Sequence, residues 1–259
     1  MNSLPTNDFK RALTAGERQI GLWVNFTNHV IAEILTCSGF DWLLFDMEHT
    51  PNDLQMVGQQ IMACRGTPTA AIARIPILDM GWIKRTLDAG APNIMIPNVR
   101  NAQEARDAVA WSRFAPEGLR GVASSTRAGN YTRYKDFLAR ANDEIGLILQ
   151  IESREALDDL DAICRVPGVD AVFIGPSDLA AALGHRGQIS HPEVQGEISK
   201  AFKTAKAAGC PIGILAADGN AAPYLDQGAT MVGVGTDLHL LIRSADALAQ
   251  QFKAGQGSA

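Results

Sequence analysis

Residues 146–184, GLILQIESREALDDLDAICRVPGVDAVFIGPSDLAAALG, decide the fold. They hold two short apolar runs, 146–151 and 171–174, with a segment of helical apolar spacing at about 154–164 between them. A run without polar alternation has no wet face, so each reads as a strand of a parallel sheet buried on both sides. Working outward, the same beat recurs. Further runs lie at 20–26 (IGLWVNF), 42–46 (WLLFD), 70–75 (AAIARI), 93–97 (NIMIP), 212–215 (IGIL) and 231–234 (MVGV). Helical candidates fall at about 30–38, 53–64, 81–89, 101–113, 192–208, 219–227 and 237–253, several opening on Asn, Asp or Ser and closing near Gly. Eight βα units in 259 residues fit one closed (β/α)8 barrel spanning the chain. A doubly wound open sheet is the competing arrangement, but no G-x-G-x-x-G follows the first strand. A Gly-, Ser- and Arg-rich insertion at about 115–144 interrupts the beat; it reads as too polar for core and as a loop or subunit contact. The tail from about 254, AGQGSA, reads as disordered.

Composition excludes several classes. Twenty-three basic against 28 acidic residues, a net charge of −5, oppose non-specific nucleic-acid binding. Cys37, Cys64, Cys164 and Cys210 form no C-x-x-C pair and sit among apolar or small residues, which reads as packed core rather than disulfide or zinc site. No signal-like N-terminus and no spanning apolar run is present, so a soluble cytoplasmic protein is expected.

In such a barrel the chemistry sits at the C-terminal strand ends. There the sequence offers Asp46-Met47-Glu48-His49 after the second strand, Arg74 at the end of the third, Gln150 and Glu152 at the fifth, and Gly175-Pro176-Ser177-Asp178 past the sixth. Carboxylates on consecutive strand ends repel unless a cation or proton lies between them, so Glu152 and Asp178 read as ligands of a divalent metal with oxygen preference. The alternative is that both merely cap helices. His49, beside two carboxylates, suits a general base. Arg74, in an otherwise apolar strand, needs an anion, either a substrate or Glu48. His29, His185, His191 and His239 lie in or beside helices and are assigned to structure. Gly-rich stretches at 213–219 and 232–237 fall where many barrels bind phosphate, yet neither adds a Lys or Arg, and tight packing explains them equally. No run ends in lysine, which opposes Schiff-base chemistry.

The strings FDWLLFDMEH (40–49), LDAGAPNIMIPNV (87–99), LILQIES (147–153) and VFIGPSDLAAALG (172–184) together resemble the HpcH/HpaI family of metal-dependent class II pyruvate aldolases, over residues 21–252. The resemblance implies a metal, Mg2+ or Mn2+ with Co2+ or Zn2+ as alternatives, held by Glu152 and Asp178. It implies His49 as base, Arg74 as stabiliser of the enolate, and Asp88 as the group raising the basicity of the histidine. It further implies substrate contacts from the Gln150 side chain and the backbone of Ser177 and Asp178. Its expected activity is reversible cleavage of a 4-hydroxy-2-oxo acid, heptanedioate-like or derived from a sugar acid, to pyruvate and an aldehyde. A citryl- or malyl-CoA lyase, or a silent barrel binding metal and 2-oxo acid, are the alternatives. Asp88 precedes the fourth strand, at the far end of its own barrel, so it would serve a neighbouring subunit, in keeping with the family's hexamers, trimers of dimers; Asp46 is the substitute for this role. Residues 77–80 and 124–133 depart from the family pattern, at loops expected to meet the aldehyde.

Overall fold

Strands β1 (Gln19–Val24), β2 (Trp42–Asp46), β3 (Ala70–Arg74), β4 (Asn93–Ile96), β5 (Gly146–Ile151), β6 (Ala171–Ile174), β7 (Ile212–Leu215) and β8 (Met231–Thr236) pair in parallel and in sequence order. β8 returns to β1 through Gln19↔Met231, so the sheet closes on itself as the expected (β/α)8 barrel. The computed structural model describes residues 2–217 and 219–253. The tail expected to be disordered, and Asp218 of the first Gly-rich stretch, lie outside the described residues.

The helices are α1 (Asp8–Thr14), α2 (His29–Thr36), α3 (Leu54–Cys64), α4 (Met80–Asp88), α5 (Ala102–Ser112), α6 (Phe137–Arg140), α7 (Arg154–Asp158), α8 (Leu160–Cys164), α9 (Pro176–Ala182), α10 (Pro192–Ala208), α11 (Ala222–Asp226) and α12 (Asp237–Lys253). Their N-termini are set by Asx and Ser caps: Asn28, Asp53, Asp79, Asn101 and Ser153 each accept a hydrogen bond from the first turn.

Strand alternation splits the core in two. Leu43, Phe45, Ala71, Ala73, Leu147 and Leu149 point outward to the helices. Trp42, Leu44, Ile72, Met95, Ile148, Phe173 and Met231 point inward and fill the barrel. Gly21 and Gly213 are required there. A Cβ at Gly21 would run into the Trp42 indole, and one at Gly213 would stand 2.6 Å from Phe173. For Gly213 close packing alone accounts for the glycine.

Several local expectations are corrected. β1 ends at Val24 rather than 26, because the Asn25 and Phe26 N–H groups turn to the Asp237 carboxylate, at 2.8 and 3.0 Å. The helix expected at 154–164 breaks at Asp159, whose carboxylate accepts from Ala102 N at 2.6 Å and so holds α5. The insertion is not all polar surface. Phe137 and Ala141 pack on Phe114, and the Arg120 guanidinium is buried over the Phe114 ring at 4.4 Å. Cys37 is exposed rather than packed; the other three cysteines are buried. No helix among the described residues is long and apolar enough to cross a membrane.

α1 has no counterpart in the sequence expectations. At seven residues it is too short for a periodic signal, and its placement comes from tertiary contacts. Phe9 and Leu13, four apart on one face, plug the bottom of the barrel. Asn7 holds the plug: its Oδ1 accepts from Lys10 N, and its Nδ2 donates to Asn93 Oδ1 at 2.8 Å and Glu144 O at 2.9 Å. Asn7→Ala removes the cap and leaves buried acceptors unmatched, so urea unfolding should show a loss of about 1–3 kcal/mol. An unchanged midpoint would show that α1 is not part of the cooperative core.

Candidate active site

The same alternation that buries Leu44, Ile72 and Ile148 turns Asp46, Arg74, Gln150 and Glu152 inward one or two pleats higher, at the C-terminal mouth. Asp46 and Arg74 are register partners on β2 and β3. Their side chains form a two-pronged ion pair, Nε to Oδ1 at 2.8 Å and Nη2 to Oδ2 at 2.6 Å. Arg74 Nη1 lies 2.7 Å from Glu48 Oε2 and donates to Gln150 Oε1 at 3.3 Å, while the guanidinium carbon sits 4.9 Å from the centre of the Trp23 ring. The one anion expected for Arg74 from within the chain is thus engaged, and a second, unforeseen one joins it. Glu48, the partner expected, holds one prong, and Asp46 holds two.

Gln150 Nε2 donates to Glu152 Oε1 at 2.7 Å, and Glu152 Oε2 accepts from Asn98 N at 3.1 Å. Asn98 reaches it from a left-handed conformation, φ 50°, just after β4. Gly175 is needed beside Glu152, because a Cβ there would collide with the Glu152 carboxylate. The capping alternatives do not hold. Ser153, not Glu152, caps α7, with Oγ accepting from Ala156 N at 3.2 Å, and α9 is capped at Gly175, with Asp178 exposed in its first turn beside Ser177.

Charge at the mouth is unbalanced. Burial pushes the Asp46 carboxyl up, but the Arg74 guanidinium and the Glu48 and His49 N–H groups outweigh it and hold the carboxyl below its ordinary value. Burial raises Glu48, against Arg74 and His49, with Asp46 and Asp178 adding to the rise. Burial, then Glu48 and Asp178, push Glu152 up to about 7 despite Arg74 and Asn98 N–H. Asp46, Glu48, Glu152 and Asp178 therefore share one mouth with a single buried guanidinium.

His49 stands at the rim with its side chain 61% exposed, its Nε2 3.8 Å from Glu48 Oε2. Asp46 does not orient its ring; that carboxylate is committed to Arg74. Asp88 is not brought to His49 within the chain. It closes α4 at the opposite end of the barrel, where Oδ1 accepts from Arg120 Nη2 at 2.6 Å. Sequence reasoning missed Trp23 and Asn98. Trp23 was legible from strand alternation as the inward residue of β1; the Asn98 backbone N–H had no sequence signal. It also set aside His185 and His191, which the fold stacks on one another beside Glu193.

Comparison with known proteins identifies the family of the chain. The family model HpcH/HpaI aldolase/citrate lyase matches residues 19–244. A 5-keto-4-deoxy-D-glucarate aldolase of Shigella boydii serotype 18 is 46% identical over 256 residues, covering 98% of this chain and 100% of that protein. The crystal structure of an HpcH/HpaI aldolase/citrate lyase family protein from Burkholderia cenocepacia J2315 is 37% identical and superposes with a TM-score of 0.93, covering 96% of this chain and 100% of that one. An HpcH/HpaI aldolase from Desulfitobacterium hafniense DCB-2 is 30% identical with a TM-score of 0.88, covering 94% and 96%. Matched over nearly its whole length in sequence and in fold, the chain belongs to the HpcH/HpaI aldolase/citrate lyase family and is a carbon–carbon lyase of the aldolase type.

Proposed function

We propose that this chain is a metal-dependent aldolase that reversibly cleaves a 4-hydroxy-2-oxo acid of sugar-acid origin, 5-keto-4-deoxy-D-glucarate or a close analogue, to pyruvate and an aldehyde. The observation that carries the reading is Arg74, buried and held by two prongs of Asp46, with Nη1 turned to the Gln150 and Glu48 side of the mouth. The names of the 46% identical relatives support the sugar-acid substrate.

The donor set fits a divalent ion between Glu152 and Asp178. Asp178 adds to the rise in the proton affinity of Glu152, and a cation between the two carboxylates would relieve that repulsion; oxygen ligands suit Mg2+ or Mn2+, with Co2+ or Zn2+ as substitutes. When bound, the ion supplies Lewis acidity to the 2-oxo group. Arg74 Nη1 donates to the same oxygen as it gains negative charge, a contribution of about 3–4 kcal/mol for one preorganised donor. Gln150 Nε2 and the backbone N–H groups of Ser177 and Asp178 orient the substrate carboxylate. His49 takes the C4 hydroxyl proton; the C3–C4 bond breaks, the aldehyde departs, and the electron pair is left on the pyruvate enolate until C3 is protonated. Its rim position is where the aldehyde half meets solvent. The strands contain no lysine for an imine route.

Asp88 supports His49 of a neighbouring subunit in this reading, and the active form is a homo-oligomer, a hexamer by family likeness. The exposed apolar residues of α12, Leu241, Leu248 and Phe252, at 57–69% exposure, support self-association. A lyase for CoA esters gains no observation of its own here.

Deuterium exchange into the pyruvate methyl group, followed by NMR, tests enolate formation without the aldehyde. Exchange should require divalent metal, stop on chelation, and fall by at least about 100-fold in Arg74→Ala and in Glu152→Ala. A folded, metal-loaded protein without exchange would remove the aldolase reading and leave the lyase for CoA thioesters, then the silent barrel, to be tested. Asp46→Asn leaves the buried guanidinium short of one partner, so stability should drop by about 3–5 kcal/mol. Because the folded Asp46 carboxyl lies below its unfolded value, this contribution is present above about pH 4 and is lost only as pH falls through the lower folded value; the deficit of the variant should therefore be the same at pH 5 and pH 8. Asp88→Ala and His49→Ala should each be inactive alone and regain part of the activity when co-assembled, since mixed oligomers contain sites with both groups intact. Active Asp88→Ala would remove the shared site.

A further inference from the structure

Outside the mouth, the loop after α9 and the first turn of α10 gather His185, His191 and Glu193. His185 Nε2 lies 2.8 Å from Glu193 Oε2. His191 is the N-cap of α10, its Nδ1 accepting from Glu193 N at 3.3 Å. The two imidazole rings stack with centroids 3.5 Å apart and 17° between their planes. One ligand atom from each of the three residues lies within 4.8 Å of the other two. The two rings face one another beside a single carboxylate, an arrangement that places nitrogen donors of both within reach of one ion. His191 also receives an N–H at Nδ1, which places its lone pair there and its proton, when neutral, on Nε2. Capping alone explains neither the second ring nor the carboxylate aimed at it.

We propose that His185, His191 and Glu193 form a second metal site, distinct from the Glu152–Asp178 pair, for a borderline transition-metal ion such as Zn2+. Two imidazole nitrogens and one carboxylate oxygen match a four-coordinate ion completed by water, whereas the all-oxygen pair in the barrel suits harder cations. The rings turn about a broad terminal torsion, so both lone pairs can converge on one ion in exchange for the present hydrogen bonds. A bound ion ties the loop between α9 and α10 to the long helix α10. It thereby clamps the segment whose first turn presents Ser177 and Asp178 to the mouth.

Two variants separate this site from the aldolase site. Glu152→Ala disables the barrel pair and leaves the cluster intact. His191→Asn removes the imidazole but retains a strong N-cap residue, so α10 keeps its start. Co2+ titrated into the full-length protein should give the intense visible bands of a four-coordinate ion in the wild type and in Glu152→Ala, displaced by Zn2+ and not by excess Mg2+. The bands should be lost in His191→Asn and in His185→Asn, while equilibrium dialysis falls from one Zn2+ per chain in Glu152→Ala to none in Glu152→Ala combined with His191→Asn. Unchanged circular dichroism and unchanged Mg2+-dependent pyruvate exchange in His191→Asn show that the loss is local. Bands absent from the wild type, persisting in His191→Asn, or vanishing in Glu152→Ala would overturn the second site. Failure of pyruvate exchange in every protein would sink the aldolase reading and leave the cobalt result standing.

Discussion

The mouth of the barrel depends on the Asp46–Arg74 ion pair. Both groups are nearly inaccessible, at 0% and 5% exposure, on adjacent strands at one register position. Removing two such charges from water is expensive, and replacing a buried pair by apolar residues is often neutral for stability, so folding alone gives no reason to keep it. What the pair provides is a guanidinium with no freedom to turn. Two of its nitrogens are tied to Asp46 and its face lies over Trp23, so the third, Nη1, has one direction available. A lysine in the same place would keep the charge and lose the aim.

Around that fixed cation the remaining carboxylates stand in tension. Glu152 is held by Gln150 and by the Asn98 N–H, with Gly175 giving its carboxylate room. Its proton affinity is nonetheless raised, because the hydrogen bonds and Arg74 do not offset burial and the neighbouring acids. A site built for stability would have neutralised one of these groups. In the proposed reading the site is built for a cation, whose binding would recover the cost of assembling these groups.

Much of the barrel was legible because the two periodicities are local. An unbroken apolar run of four to six residues says that both faces of a strand are covered, and alternation within it says which residues face the axis. Leu44-Phe45-Asp46 and Ile148-Leu149-Gln150 carry that information in themselves, so the positions of Asp46, Gln150 and Glu152 followed from the strands below them. The features that escaped depend on distant partners. α1 exists because Asn7 meets Asn93 and Glu144 across more than 80 residues, the helix after β5 breaks because Asp159 is drawn to Ala102, and Arg120 is buried because Phe114 and Asp88 receive it. None of these leaves a pattern in its own neighbourhood.

Asp88, in the role proposed for it, depends on a second chain. Within its subunit it is a satisfied group, accepting from Arg120 at the foot of the barrel, and nothing there calls for another partner. His49, at the opposite end, is half satisfied: an exposed imidazole with a single carboxylate 3.8 Å away, itself shared with Arg74. An imidazole so placed is held only loosely, and the general-base role proposed for it requires a held one. Two routes could supply the missing restraint, substrate binding against Glu48 or a group from another chain. The first would leave α12 with its apolar face in water for no purpose. The second, the proposed one, would use that face to bring barrels together and would make the incompleteness of the single mouth the reason for assembly.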